Sequence, residues 1–251
     1  MAGNRNYIDW PAAVALGKTV GNSVVNIFGY STTVGTTFRA LWEVDADYVF
    51  PTTALTMTIN NNAADAGYTI KITGLDTNYD VITETKTLTN TTQTTANQYY
   101  RINDVTVIGG KTGVSFGSPA NDITLTNGGV TYAFIKANTS TNKVSIYTVP
   151  RGYQFALYRI DGFCATALQN NREITFRNLV RLHPNNVTLR VADTDFQDRM
   201  QILRQMPFVY NECTDIVFQM KAEQGPNTVS VFGEGVLHEL EFQTQLNNLS
   251  G

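Results

Sequence analysis

Residues 67–89 read GYTIKITGLDTNYDVITETKTLT and contain two short β runs on either side of a turn. The turn segment, GLDTNYD, is rich in the glycine, asparagine and aspartate residues that favour tight turns. The second run, VITETKTLT, alternates threonine with Glu84, Lys86 and Leu88 at a period of two, as expected for a β-strand. Neither of its faces is fully apolar, so it predicts an edge or surface strand that its charges protect from stray pairing.

The same pattern of short β runs continues on both sides of this stretch. Turn signals such as NNNAADAG, NTTQTTAN and TNGG separate the runs at intervals of roughly 8 to 12 residues, which is typical of an antiparallel sandwich or barrel. The corner VPRG at residues 149–152 interrupts the alternation. We therefore predict an all-β protein with two antiparallel β-sandwich (jelly-roll-like) domains, at residues 36–150 and 151–251.

The first 35 residues show no sustained helical or strand period and contain several glycines. They predict an extended N-terminal arm, residues 1–35, with one short strand at VVNIF. This strand is too apolar to remain solvated alone, so we expect the arm to lie on its own domain or on a neighbouring subunit. The candidate contact residues of the arm are Val24, Val25, Ile27 and Phe28.

One segment, DTDFQDRMQILRQM at residues 193–206, has a pattern compatible with a helix that runs into Pro207. An irregular connection between strands is the alternative. The two cysteines, Cys164 and Cys213, have no zinc-like spacing and are expected to be buried thiols. A disulfide between them stays open if their strands are neighbours.

The composition excludes several functional classes. Only 16% of the residues are charged, compared with roughly 25% in an average domain, which excludes long salt-bridged helices and coiled coils. The formal net charge of −3 gives no positive field for phosphates, so no nucleic-acid partner is expected. The sequence has no apolar run of 18 residues and no leader pattern at its start, so we expect neither a membrane span nor export by its own signal.

A search for catalytic chemistry finds little. The histidines His183 and His238 lie in a turn and in a strand pattern, and no nucleophile elbow or HExxH motif is present. Aspartates at 45–47 and 193–198 lack the glycine and distal glutamate of a calcium loop. Glu84 and Glu234 fit surface strand positions better than a glycosidase pair. We therefore expect no catalytic residues, no cofactor and no metal.

Arginine is concentrated in the second half of the chain. Aspartates and glutamates are interspersed among these arginines, which favours ion pairs within or between subunits over an anion site. We expect the arginines, with Arg177 and Arg181 as main candidates, to pair with acids of a neighbouring copy and give a closed homo-oligomer, most simply a trimer. Solvated arginines at outward strand positions are the alternative. The second-half arginines are Arg151, Arg159, Arg172, Arg177, Arg181, Arg190, Arg199 and Arg204.

Four phrases taken together resemble virion structural proteins of tailed bacteriophages, including cyanophages. They are GLDTNYDVITETKTL (74–88), QYYRINDVTVIGG (98–110), YTVPRGYQF (147–155) and ECTDIVFQMKAEQGPNTVSVFGEGVL (212–237). Such proteins have a Gly-Leu/Thr-Asp turn before a Glu-Thr strand, then an Arg-Ile/Val-Asn strand, a Tyr-Thr-Val-Pro-Ala-Gly corner and a Thr-Asp-Ile strand. This chain departs from that pattern at Arg151, where the corner usually carries alanine, which places a charge at a possible interface.

The resemblance implies a non-enzymatic virion component made in the host bacterial cytoplasm. A capsid decoration or cement protein is expected, which binds other copies of itself and other virion proteins such as the major capsid protein. The alternative is a neck or tail component, similar to a fibre or an adhesin, that contacts glycans of the host surface.

Overall fold

The structure is a computed structural model that describes residues 10–111, 117–165 and 173–240. It confirms an all-β fold in which every strand pair is antiparallel. The helical elements are short: α1 covers Trp10–Ala15 and a 3-10 turn covers Ala63–Asp65. No helix in the described ranges has both the length and the apolar character to cross a membrane.

Sheets 1 and 2 share one apolar core. Sheet 1 has the order β1 (Asn22–Val34), β16 (Asn227–Glu239), β11 (Tyr153–Cys164) and β14 (Arg199–Tyr210). Sheet 2 has the order β10 (Ile146–Thr148), β15 (Thr214–Ala222), β12 (Ile174–Leu182) and β13 (Val187–Phe196), with β2 (Arg39–Ala40) also on β15. Inward residues of both sheets form core 1, among them Phe155 and Leu157 of sheet 1 and Phe176 and Phe218 of sheet 2.

Sheets 3 and 4 share a second core. Sheet 3 has the order β6 (Gln93–Tyr99), β3 (Leu55–Asn60), β8 (Ile123–Asn127) and β9 (Val130–Ile135). Sheet 4 has the order β5 (Val81–Thr87), β4 (Thr69–Leu75) and β7 (Arg101–Gly109). Core 2 contains Ile59 and Leu125 of sheet 3 and Ile70 and Ile72 of sheet 4. The predicted edge strand is confirmed, because β5 lies at the end of sheet 4.

The structure corrects the extended arm predicted for residues 1–35. Residues 22–34 form β1, which pairs with β16 of the same chain from Asn22 opposite His238 to Val34 opposite Asn227. The strand period was hidden because Gly29 occupies an inward position. A Cβ there would lie 2.5 Å from the Cβ of Ser145 and 2.9 Å from the Leu41 carbonyl oxygen, so only glycine allows this close approach.

The predicted boundaries at 36 and 150 also differ from the arrangement of the sheets. Both β2 and β10 precede residue 150, yet they pair with β15 in sheet 2. The strands of sheets 3 and 4 therefore lie between two portions of the chain that together build core 1. Strand pairing is non-local, so a turn at VPRG does not by itself mark the end of a folding unit.

The helix predicted at residues 193–206 is wrong, and so is the alternative of an irregular connection. This segment contains the end of β13 and the start of β14, which pair with β12 and β11, respectively. Phe196 and Met200 are buried in core 1. Both residues sit at positions compatible with a helical and with a strand pattern, and the partner strands decide between the two.

Candidate functional site

The predicted contact residues of β1 are divided between the two faces of the strand. Ile27 is only 2% exposed and belongs to core 1, and Val25 packs partly buried against that core. Val24 and Phe28 point to the other face, where 39% of each remains exposed. Strand alternation makes this division unavoidable. Only Val24 and Phe28 are therefore available for a partner.

Arg177 and Arg181 lie on the outer face of sheet 2, against aromatic rings of residues 38–50. The Arg177 guanidinium stacks 3.6 Å from the centre of the Phe38 ring, and its Nη2 donates a 2.9 Å hydrogen bond to Gln219 Oε1. Arg181 lies 5.4 Å from the centre of the Phe50 ring. Burial, together with the nearby charge of Arg190, lowers the pKa of Arg177. Both arginines thus have contacts within their own chain, and their pairing with a neighbouring copy stays a prediction.

Arg151 is exposed at the corner between β10 and β11. Its backbone N–H donates to the Tyr79 carbonyl at 2.9 Å, which links the corner to the turn between β4 and β5. Gly152 follows with φ of 77°, a conformation that favours glycine, and its N–H donates to Glu212 Oε2. The Arg151 side chain lines a cleft with Tyr79 and Cys213.

A buried charge cluster, consisting of Arg101, Thr148, His183 and Asp215, lies where sheet 4 meets sheet 2. Arg101 bonds the carboxylate of Asp215 through two nitrogens, with Nε to Oδ1 at 2.9 Å and Nη2 to Oδ2 at 3.0 Å. Thr148 Oγ1 donates to Oδ1 at 2.7 Å, and His183 Nε2 lies 2.8 Å from Oδ2. The side chains of Arg101 and Asp215 are only 2% and 0% exposed.

The remaining donors of Arg101 and both faces of its guanidinium are also engaged. Its Nη1 donates to the carbonyl oxygens of Pro51 and Tyr100 at 3.1 and 2.8 Å. Its guanidinium carbon lies 4.2 Å from the Tyr100 ring centre and 4.9 Å from that of Phe50. A buried ion pair is tolerated only when its hydrogen-bonding capacity is satisfied in this way.

The pKa directions agree with a fully ionised pair. Burial alone would raise the pKa of Asp215, but the hydrogen bonds from His183 and Arg101 and the charge of Arg101 outweigh it and lower that pKa. Burial would likewise lower the pKa of Arg101, and the bonds to Asp215 raise it instead. The groups of the cluster satisfy one another, so its evident role is to join β7 to β10 and β15.

Sequence reasoning missed this cluster. Arg101 and Asp215 each stand in an otherwise apolar or uncharged strand run, YYRIN and CTDIVF, and both runs lie within the phrases that carry the family resemblance. A lone charge in a buried strand is a usable signal that a partner exists. It does not identify the partner, which lies 114 residues away.

The most exposed apolar surface lies on β13 and β14, and we call it the β13–β14 edge. On β14, Leu203 is 73% exposed and Met206 is 80% exposed. Val209 of β14 and Val187 and Leu189 of β13 are also exposed. Residues 204–207 of β14 have only Tyr158 opposite them on β11, so the strand bulges outward there. Both strands are sheet edges, which makes the surface a natural place for another chain to bind.

The β13–β14 edge also carries charges of both signs. Its exposed arginines are Arg190, Arg199 and Arg204, and its exposed aspartates are Asp193, Asp195 and Asp198. Arg190 and Asp193 bond one another at 2.9 Å. A surface with both signs interspersed can match a second copy of itself without net repulsion.

The residues considered for catalysis have other roles in the structure. Both carboxylate oxygens of Glu84 accept backbone N–H bonds from Ala96 and Asn97. Cys164 is buried on β11 and Cys213 lies between β14 and β15, and within the described residues no disulfide joins them. No group of three or more histidine, cysteine or acidic side chains that could hold a metal occurs in the described part of the chain.

The geometry of this chain was compared with known proteins at three levels. No protein-family model, no curated protein and no solved structure matches it. The functional argument therefore depends on the exposed edge, the buried cluster and the phrases quoted above.

Proposed function

We propose that this protein is a non-enzymatic structural component of a tailed-phage virion, and specifically a capsid decoration or cement protein. The observation that carries the proposal is the β13–β14 edge, where large apolar side chains are exposed on two unpaired strand edges. Contiguous exposed apolar surface of this kind marks interaction sites in soluble proteins. The family resemblance of the four sequence phrases supports the virion as the setting.

In this proposal the chain is a rigid building block of two β-sandwiches. Sheets 1 and 2 enclose core 1, and sheets 3 and 4 enclose core 2. The buried charge cluster, together with paired bonds between the Asn103 side chain and the backbone of Thr148, fastens one sandwich to the other. A fixed angle between the sandwiches would let a subunit hold neighbouring shell proteins at defined positions.

The first partner in the proposal is a second copy of this chain, bound through the β13–β14 edge in a closed homo-oligomer such as a trimer. The mixed charges of the edge favour such self-association. The outward face of β1, with Val24 and Phe28, is the proposed contact for other virion proteins such as the major capsid protein. Nucleic acid and membrane are not proposed partners, and the site of assembly is the host bacterial cytoplasm.

The test is the mass of the purified protein in solution, measured by size-exclusion chromatography with light scattering. We expect the wild type to be an oligomer and the Leu203→Asp/Met206→Asp variant to be a folded monomer, because the substitutions bury carboxylates in the proposed contact. Val81→Asp is the matched control, since Val81 is a half-exposed apolar residue on the edge strand β5.

A monomeric wild type, or an oligomer that survives the double substitution, would refute the role of the edge. Cryo-electron microscopy of the phage particle then tests the setting. Density for this chain on the capsid supports a decoration protein, and density only at the neck or tail supports the alternative.

A further inference from the structure

A cleft of about 520 Å³ lies beside the buried charge cluster. Four separate segments form it: residues 52–53, the turn between β4 and β5, the corner between β10 and β11, and the turn after β12. His183 of the cluster lines its inner wall, and Tyr100, which stacks on Arg101, lines another. The cleft is separate from the β13–β14 edge.

The aromatic wall of the cleft is held in place by its surroundings. The Asp76 carboxylate accepts the backbone N–H groups of Asn78 and Asp80 at 2.7 and 3.0 Å, which closes the turn that carries Tyr79. The rings of Tyr79 and Tyr100 meet edge to face, with centres 5.4 Å apart. A wall that is already ordered loses little entropy when a ligand binds.

The Tyr79 hydroxyl is the observation that points to a ligand. Tyr79 is only 8% exposed, and its hydroxyl has no hydrogen-bond partner among the described residues. Buried hydroxyls in native proteins normally bond to something. The Tyr99 hydroxyl is also buried without a partner, but Tyr99 does not line the cleft. Tyr79 therefore offers a donor and an acceptor to a molecule in the cleft.

The charges around the cleft argue against a charged ligand. Arg151 is the cation of the rim, while Glu212 and Asp80 lie close enough to Cys213 to raise the pKa of its thiol, after burial and against the effect of Arg151. His183 already faces Asp215. The cation is thus balanced by nearby carboxylates, and an anion would gain little.

We propose that this cleft binds one sugar residue of an uncharged saccharide. The apolar face of the sugar ring packs on Tyr100, and its hydroxyls bond to Tyr79, Arg151 and Asn186. Thr52 and Thr77 add hydroxyls at the rim. A mostly apolar wall with a few placed polar groups is the usual form of a small-molecule site. This binding is independent of the assembly function, since it uses neither sheet edge.

The test is binding of the full chain to an array of immobilised uncharged oligosaccharides built from glucose, galactose, mannose and N-acetylglucosamine, beside a set of sialylated and sulfated ones. We expect retention on at least one uncharged glycan. Tyr79→Phe should weaken that binding about tenfold, because it removes one hydrogen bond to the ligand, and Tyr100→Ala should weaken it at least as much. The free monosaccharide of the bound glycan should compete in solution.

The matched control is Tyr99→Phe, which removes an equally buried hydroxyl outside the cleft and should leave binding unchanged. Tyr79→Phe removes a hydroxyl that bonds no described group, so the variant should keep its melting temperature. The proposal is overturned if no uncharged glycan is retained, if only charged glycans are retained, if the monosaccharide does not compete, or if Tyr79→Phe binds as the wild type does. None of these results alters the oligomer mass, which tests the assembly function separately.

Discussion

The outer face of sheet 2 and the β13–β14 edge belong to the same pair of sheets but expose opposite kinds of side chain. On the outer face, Arg177 and Arg181 are covered by Phe38 and Phe50. At the edge, Leu203, Met206 and Val209 are left exposed. Residue type alone would assign these exposures the other way round. The comparison shows that a neighbouring segment of chain, here residues 38–50, decides which side chains a surface presents.

The largest expected effect concerns the charges that are covered most completely. Asp215→Asn leaves the buried Arg101 charge uncompensated, so we expect the free energy of unfolding to fall by about 3–5 kcal/mol. Asp193→Asn is the control, because Asp193 pairs with Arg190 at the exposed edge and should cost less than about 1 kcal/mol. Urea titration of both variants measures the difference. Equal losses in the two variants would show that the cluster does not join the sheets.

The pH dependence of stability sharpens the same contrast. The folded-state pKa of Asp215 is lowered from its ordinary value of 3.8, so the ionised carboxylate stabilises the fold fully above that value. This stabilisation is lost as the pH falls below 3.8 and through the lowered folded-state pKa. The stability gap between wild type and Asp215→Asn should therefore be constant from pH 6 to about pH 4 and shrink below it, as measured by denaturant unfolding. A gap that stays constant down to pH 2 would contradict the lowered pKa.

The smallest expected effect concerns the aromatic cover of the arginines. Arg177→Gln with Arg181→Gln removes two cation–π contacts, each worth roughly 0.5–1 kcal/mol at sites of this exposure. We expect a loss of about 1–2 kcal/mol and an unchanged oligomer mass, with Arg151→Gln as an exposed control that changes neither. A folded monomer in light scattering would instead show that these arginines bond a neighbouring copy, as the sequence alone predicts.

Much of the fold class was predictable, because it depends on local features. The threonine alternation of β5 and the turn residues before it identified an edge strand, and the structure confirms it. Residues 193–206 were misread because the spacing of Phe196 and Met200 suits a helix as well as a strand. β1 was misread because Gly29 holds an inward position that usually carries an apolar side chain. In both cases the missing information was the partner strand.

The candidate sites depended still more on the tertiary structure. Val24, Ile27 and Phe28 are equally apolar in the sequence, and only the pairing of β1 with β16 buries Ile27 and leaves the other two exposed. Neither the cleft nor the exposed β14 bulge has a sequence motif, since each arises from segments that meet in space or from a shift in register.

Local chemistry in the sequence determined the strand content, the turns and the absence of long helices, because alternation at a period of two and turn propensities act over a few residues. The tertiary structure alone decided that Arg101 meets Asp215 and that β1 and β2 join strands near the other end of the chain. Those contacts cross more than a hundred residues, and each depends on burial of surfaces that only the assembled sheets provide.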